Sequence, residues 1–272
     1  MEKQIIEQKK ELTPLEKELR RLGPWHFKIP IEQTGTYTTD YNKVNQGKKV
    51  KNVVNPFSMR NLFKKVYRQG FHGKSFMDIG CNGGGYCILA NELGADYVYG
   101  FDVRQQWVDQ CIFLRDKIYK VSPEKMHFDV SHIHDLEKMD RKFDITLFKG
   151  VLYHIPDPIH SLKTVCDMTN EVLILNTAGS LEAPADCLKV FFEDPDSSMA
   201  GIDNMAWLPG SPQVLRHILE WCGFKYSRVY QRIQYPDRPH MQRIGLIAAR
   251  EEKLLRAYEK NRTNHGLPLD EE

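Results

Sequence analysis

The sequence predicts an α/β fold, a doubly wound Rossmann-like sheet of seven strands, and three observations carry that expectation. From Lys74 onward, short apolar runs alternate with helix-patterned segments. The stretch MDIGCNGGGYC, Met77 to Cys87, puts four glycines within six residues directly after the first apolar run. An acid, Asp102, closes the second run about 20 residues beyond that turn, the spacing at which a nucleotide ribose meets a carboxylate.

Taken in order, Thr13-Pro14-Leu15-Glu16 combines an N-cap threonine, proline at the first helical position and a glutamate, so a helix is expected through Arg21. Gly23 to Gln46 is aromatic, threonine-rich and broken by glycine, the pattern of an ordered cap. SFMDI, YVYGF, MHFDV, DITLF and EVLILN read as the first five strands, separated by the helices YCILANEL, QWVDQCIFLRDKI and PIHSLKTVCDM. Thr177 to Gly210 carries six acids against the single Lys189 and is expected to be a lid. Ser211-Pro212 starts a helix that Gly223 ends, and YSRVY and IGLIAAR complete the sheet. The expected organisation is an N-terminal helix and cap over residues 1–70, a catalytic domain over 71–250 and a C-terminal helix and tail over 251–272.

The 272 residues are 41% hydrophobic and 27% charged with a formal net charge of +2, the composition of a soluble globular chain. No apolar run approaches a membrane span, and the charged N-terminus lacks the apolar core of a signal peptide, so a cytoplasmic protein is expected. The six cysteines lack C-x-x-C spacing and read as reduced thiols. No acid falls between Asp40 and Asp78, while nine lysines and arginines do, interleaved with Tyr41, Phe57, Phe63 and Tyr67. That stretch is either a candidate RNA footprint or a solvated helix face. His132-Ile133-His134-Asp135 invites a metal reading, yet the two histidines share a face only on a strand and no partner cluster is visible, so no metal site is expected.

The glycine turn, D-x-G-x-N-x-G over Asp78, Gly80, Asn82 and Gly84, reads either as a tight turn or as a bare loop against a nucleotide-type ligand at a helix N-terminus. With Asp102, Asp129 and Lys149 at three other strand ends, four loops converge on one crevice. Lys149 either snorkels to solvent or reaches an anionic group.

Here the sequence resembles the class I S-adenosylmethionine-dependent methyltransferases, from about Gly23 to Arg250. FDITLFKGVLYHIPDPIHSL is the most specific stretch; GPW, WLPGSPQVLRHILEWCGF and RIGLIAAR follow the same order as in that family. The GVLYH element resembles the tRNA wobble-uridine carboxymethyltransferases and related bacterial methyltransferases. The resemblance implies S-adenosylmethionine as cofactor. Gly80, Asn82 and Gly84 would then face its amino-acid part, Asp102 its ribose, and Asp129 with Val130 its adenine, with Asp78, Val103 and Lys149 also among the expected cofactor-binding residues.

In the carboxymethyl-transferring relatives the donor bears an extra carboxylate, held by a lysine before the GP motif, a tyrosine in GVLYH and an arginine before the final strand. This sequence keeps Tyr153 and Arg243, but Leu22 stands at the lysine's place and Asn42 at that of a second lysine. Burying a carboxylate with fewer cationic partners is costly, so plain S-adenosylmethionine is the expected donor. A small-molecule or glycan hydroxyl is the expected acceptor, with tRNA as the alternative. His154 is the candidate general base, or else a histidine that holds its loop. Tyr37, Asp40, Tyr41 and Trp207, in the segments expected to cover the crevice, join Tyr153 and Arg243 as candidate acceptor contacts.

Overall fold

The computed structural model describes residues 11–42, 53–193 and 200–259. The chain divides into two compact units, Met1–Pro56 and Phe57–Glu272. In the first, helix α1 (Pro14–Leu22) starts at a Thr13 N-cap closed by Glu16, whose carboxylate accepts the Thr13 backbone N–H at 2.7 Å. A two-residue ladder, β1 (Pro30–Ile31) with β2 (Thr36–Tyr37), follows. Trp25 is fully buried and donates its indole N–H to the Leu19 carbonyl at 2.7 Å.

The second unit opens with α2 (Arg60–Val66) and then alternates: β3 (Ser75–Ile79), α3 (Gly85–Glu92), β4 (Tyr97–Asp102), α4 (Gln105–Phe113), β5 (Met126–Val130) and β6 (Phe143–Lys149). Helix α5 (Pro158–Asp167), β7 (Thr169–Ser180), β8 (Leu188–Phe192), β9 (Met205–Pro209) and α6 (Pro212–Trp221) come next. β10 (Tyr226–Tyr235), β11 (Arg238–Ala249) and the short α7 (Arg256–Glu259) complete it. The main sheet has the order β10-β11-β7-β6-β3-β4-β5. The five strands from β7 to β5 are parallel, and β10 and β11 are antiparallel additions. Parallel strands covered on both faces read as unbroken apolar runs, which is why SFMDI and DITLF were legible. No helix among the described residues is long and apolar enough to cross a membrane.

Three expectations change. The boundary expected at residue 70 falls inside the second unit, because Phe63 of α2 packs at 5.3 Å from the Phe71 ring and 5.9 Å from Phe76 of β3. Phe63 is fully buried, Tyr67 donates its hydroxyl to Glu171 at 2.8 Å, and Arg60 and Lys74 pair with Glu92 and Glu171. Much of the basic stretch therefore belongs to the packing of this unit; Lys43, Lys48, Lys49 and Lys51 lie outside the described residues. The expected lid does not begin at Thr177. Residues 177–180 prolong β7, pairing with β11 through Ser180↔Met241, and a Cβ on Gly179 would come within 2.7 Å of the Pro209 carbonyl oxygen. Of the described remainder, β8 and β9 pair as an antiparallel hairpin with Val190 opposite Trp207; residues 194–199, with Asp194 and Asp196, lie outside the described residues.

Phe76→Ala removes a fully buried ring that touches both Phe63 and Phe71. It is expected to lower the unfolding free energy by about 3–5 kcal/mol in a urea titration. A loss below about 1 kcal/mol would mean that α2 does not pack on the sheet.

Candidate active site

The strand order reverses at β3: β4 and β5 lie on one side, β6 and β7 on the other. Loops leaving β3 and β6 consequently diverge, and the crevice between them is where an open α/β sheet receives its ligand. Gly80, Asn82 and Gly84 all have left-handed φ values (65°, 47° and 74°), which turn the chain sharply from β3 into α3. A Cβ on Gly80 would come within 2.4 Å of Val151 Cγ2, so the glycine lets the β3 and β6 loops touch across the switch point. Helix α3 has Gly84 at its N-cap and no capping side-chain hydrogen bond, and it starts at the loop that leaves β3, the kind of helix start that suits an anionic group.

Asp102, at the end of β4, is 7% exposed and accepts the backbone N–H of Asn82 at 3.0 Å and of Arg104 at 3.1 Å. Burial raises its pKa, and those two donors oppose the shift. It thus ties the glycine loop to the next strand end while retaining acceptor capacity on both oxygens. Val103 and Val130, which follow and end adjacent strands, are 36% and 47% exposed. Two solvent-facing valines beside a strand-end carboxylate make an apolar wall suited to a flat heterocycle. Asp129 accepts from or pairs with His127 at 3.1 Å.

Lys149 ends β6 and is half-buried. Among the described residues its ammonium makes no hydrogen bond or ion pair; it lies 5.5 Å from the centre of the Tyr86 ring. Burial and the nearby Arg243 pull its pKa down to about 8, against the attraction of Asp78. Asp78 is itself buried, which pushes its carboxyl well above the usual range in spite of Lys149. Arg243, on β11, donates to Asn176 Oδ1 and, at 3.2 Å, to the Tyr235 hydroxyl, and its guanidinium carbon lies 5.8 Å from the Tyr153 ring centre. Burial and Arg243 depress Lys149, whereas burial of Arg243 is outweighed by the Tyr235 and Tyr153 hydroxyls, which raise its pKa; with a carboxyl that resists ionisation beside them, this corner is short of negative charge. Asn176, Tyr86 and Tyr235 were not foreseen; they become neighbours through strand pairing, which no local pattern reports.

His154 follows β6 in a 3-10 turn, with its Nδ1 2.7 Å and 2.8 Å from the two Glu193 oxygens. Glu193 also accepts the Gly201 backbone N–H at 2.7 Å. Burial would raise the Glu193 pKa, but the His154 and Gly201 hydrogen bonds outweigh it and hold the carboxyl below its ordinary value. The side chains of His154 and Glu193 are 15% and 10% exposed. Glu193, 39 residues away in sequence, gave no signal beyond its membership of an acidic run. Trp207 differs from expectation: its indole N–H is spent on the Pro156 carbonyl at 2.7 Å, and its ring lines a cavity with Ile159, Leu188 and Trp221 that contains none of the strand-end residues above.

In the N-terminal unit, Tyr37 is 41% exposed with the Lys28 ammonium over its ring, and Asp40 accepts the Tyr37 backbone N–H at 2.8 Å. Tyr41, expected as an acceptor contact, is buried with its hydroxyl 3.0 Å from Thr36 Oγ1, a packing role. Asn42 clasps the backbone of Trp25 from both sides, at 2.6 Å and 2.9 Å, and Leu22 is buried.

The family described as "Methyltransferase domain" matches residues 56–245. The tRNA U34 carboxymethyltransferase of Campylobacter hominis is 27% identical over 78% of this chain and 71% of its own length. That of Sulfurimonas denitrificans is 28% identical over 78% of this chain but only 63% of its own length. That of Campylobacter jejuni is 26% identical over 95% of this chain and 80% of its own. Among solved structures, the N-terminal domain of EvdMO1, in the presence of SAH and D-fucose, has a TM-score of 0.67 at 15% identity. It covers 86% of this chain and 95% of its own. Magnesium protoporphyrin IX methyltransferase of Synechocystis, with SAH, has a TM-score of 0.52 at 17% identity, covering 77% and 89%. Both structures share the fold. The chain belongs to the methyltransferase domain family, and its cofactor is S-adenosylmethionine. A glycine-turned loop, a strand-end carboxylate with acceptor capacity and two exposed valines are features of the kind a sulfonium nucleoside needs.

Anion binding in this corner is expected to depend on pH through Lys149. Its folded pKa of about 8 lies below the ordinary 10.5, so its charge costs the ligand-free fold stability at low pH. That cost is relieved as pH rises from about 8 to 10.5. Of the groups facing it, Arg243 stays charged and burial pushes Tyr86 and Tyr153 upward. Calorimetric affinity for the cofactor is expected to fall as pH rises through about 8 and to lose that step in Lys149→Met. A step of equal size in the variant would assign it elsewhere.

Proposed function

We propose that this methyltransferase-family chain modifies the wobble uridine of tRNA, transferring a carboxymethyl group from a carboxylated form of S-adenosylmethionine. The observation that carries this reading is the Lys149–Arg243–Tyr153 corner. Lys149 and Arg243 are two half-buried cations, the Arg243 guanidinium lies 5.8 Å from the Tyr153 ring centre, and Asp78, the acid that attracts Lys149, is held toward its neutral form. A donor carboxylate supplies the charge this corner lacks. The names of the relatives from Campylobacter and Sulfurimonas support the same acceptor.

When bound, the cofactor supplies an electrophilic carbon on a sulfonium. The chain's own residues do the rest. Asp102 and the Asn82 turn fix the nucleoside end, so that the reacting carbon is oriented rather than diffusing. His154 gives its Nδ1–H to Glu193, which leaves Nε2 as an acceptor for the proton of a uridine hydroxyl. Glu193, kept ionised by His154 and Gly201, fixes that tautomer and favours the imidazolium that forms. The β8–β9 hairpin, which brings Glu193 to His154, is thereby joined to the GVLYH turn and acts as the cover over it.

A second reading keeps S-adenosylmethionine itself as donor and a small-molecule or glycan hydroxyl as acceptor. It is favoured by Leu22 and Asn42: the first is buried and the second spends its amide on Trp25, so neither supplies a cation.

Incubating the purified chain with undermodified tRNA and each donor in turn, then digesting to nucleosides for mass spectrometry, separates the two. The proposal expects the wobble nucleoside to gain the mass of a carboxymethyl group with the carboxylated donor, and His154→Gln to slow that gain at least about a hundredfold. A gain of methyl mass on a sugar or metabolite hydroxyl, with tRNA unchanged, would overturn it.

A further inference from the structure

The histidine-rich segment after β5 has no part in the crevice described above. Ile133–Lys138 is a 3-10 helix, and in that geometry side chains three residues apart eclipse one another. His134 and Glu137 therefore stand on one face of it. His160, in the first turn of α5, completes a trio whose ligand atoms all lie within 4.8 Å of one another. We propose that His134, Glu137 and His160 form a binding site for one divalent transition-metal ion of the zinc class.

Two imidazole nitrogens and one carboxylate oxygen are a donor set that zinc takes at about 2.0–2.2 Å in tetrahedral geometry, with the fourth position left to water. The trio is already preassembled. His160 Nε2 lies 2.8 Å from Glu137 Oε1, and the His134 and His160 rings stack at 5.9 Å with an interplanar angle of 28°. Surrounding groups orient the ligands as outer partners do at metal sites. Thr164 donates its hydroxyl to Glu137 at 3.1 Å, and Asp157 Oδ2 lies 3.5 Å from His134 Nε2. The His132 ring centre is 4.8 Å from that of His134. All three ligands sit at the surface, their side chains 42%, 48% and 59% exposed in chain order, so an ion reaches them without unfolding anything. The alternating neighbour His132 is not one of the three: the second ligand is Glu137, three residues after His134, and the third comes from another helix.

Such an ion would have a structural consequence. The 3-10 helix follows the strand end that carries Asp129 and Val130, and α5 follows the GVLYH turn. A metal joining them would clamp two walls of the cofactor crevice together, and binding to the folded state alone would raise its stability.

The test is calorimetric titration of the chelator-stripped full chain with zinc chloride, in a Cys187→Ser background that removes the one exposed thiol among the described residues. The expected result is one ion per chain at micromolar affinity, weakened at least about tenfold in His160→Ala and abolished in the His134→Ala/His160→Ala pair. A further expectation is a melting temperature that rises with zinc only in the parent. Cobalt(II) in place of zinc should give the visible bands of a four-coordinate site. Because the ligands are exposed, each variant should melt in chelator as the parent does, which separates lost binding from lost folding. No binding below millimolar zinc, or binding unchanged in the double variant, would overturn the proposal.

Discussion

The contact between Gly80 and Val151 is the constraint on which the rest of this site depends. It sits where the strand order reverses, and it sets how closely the loop from β3 approaches the loop from β6. Any side chain at residue 80 would need both a left-handed backbone and the space that Val151 fills. With the two loops in touch, Asp102 can accept the Asn82 N–H, Lys149 faces Asp78 across paired strands, and His154 emerges beside the same opening. The glycines thus let protein pack on protein and leave α3 without a capping side chain.

The electrostatics follow from that packing. Asp78 and Lys149 end neighbouring parallel strands, and Arg243 arrives from the antiparallel addition two strands away. Asp78 favours the Lys149 charge while burial and Arg243 oppose it, and the set as a whole carries more positive than negative groups. A corner of this kind is costly in the free protein and is relieved by an anionic ligand, which is how a binding site comes to be less stable than the scaffold that holds it.

What was legible in the sequence was whatever local pattern encodes. The parallel strands read as apolar runs, the glycine turn and Asp102 kept their spacing, and Thr13-Pro14 marked a helix start. What was not legible depended on partners distant in the chain. TAGS at 177–180 lacks the bulk of a strand but is held in one by β11. Phe63 and Tyr67 looked available for stacking on bases, and pairing with Phe71, Phe76 and Glu171 takes them into the fold. Glu193 and Trp207 reach the GVLYH turn only because β8 and β9 form a hairpin, and the acidic composition of that segment concealed both roles. Lys149 is the instructive case: its position at a strand end was plain, whereas its purpose required knowing that Arg243 and Asp78 meet it.

In the proposed function Lys149 and Arg243 hold a donor carboxylate, and mass spectrometry of the ligand that copurifies with the chain, released by mild denaturation, is the decisive measurement. The expected ligand is a sulfonium nucleoside carrying an extra carboxylate, retained by the parent and absent from Lys149→Met. S-adenosylmethionine or its demethylated product alone, equally abundant in both proteins, would contradict that function.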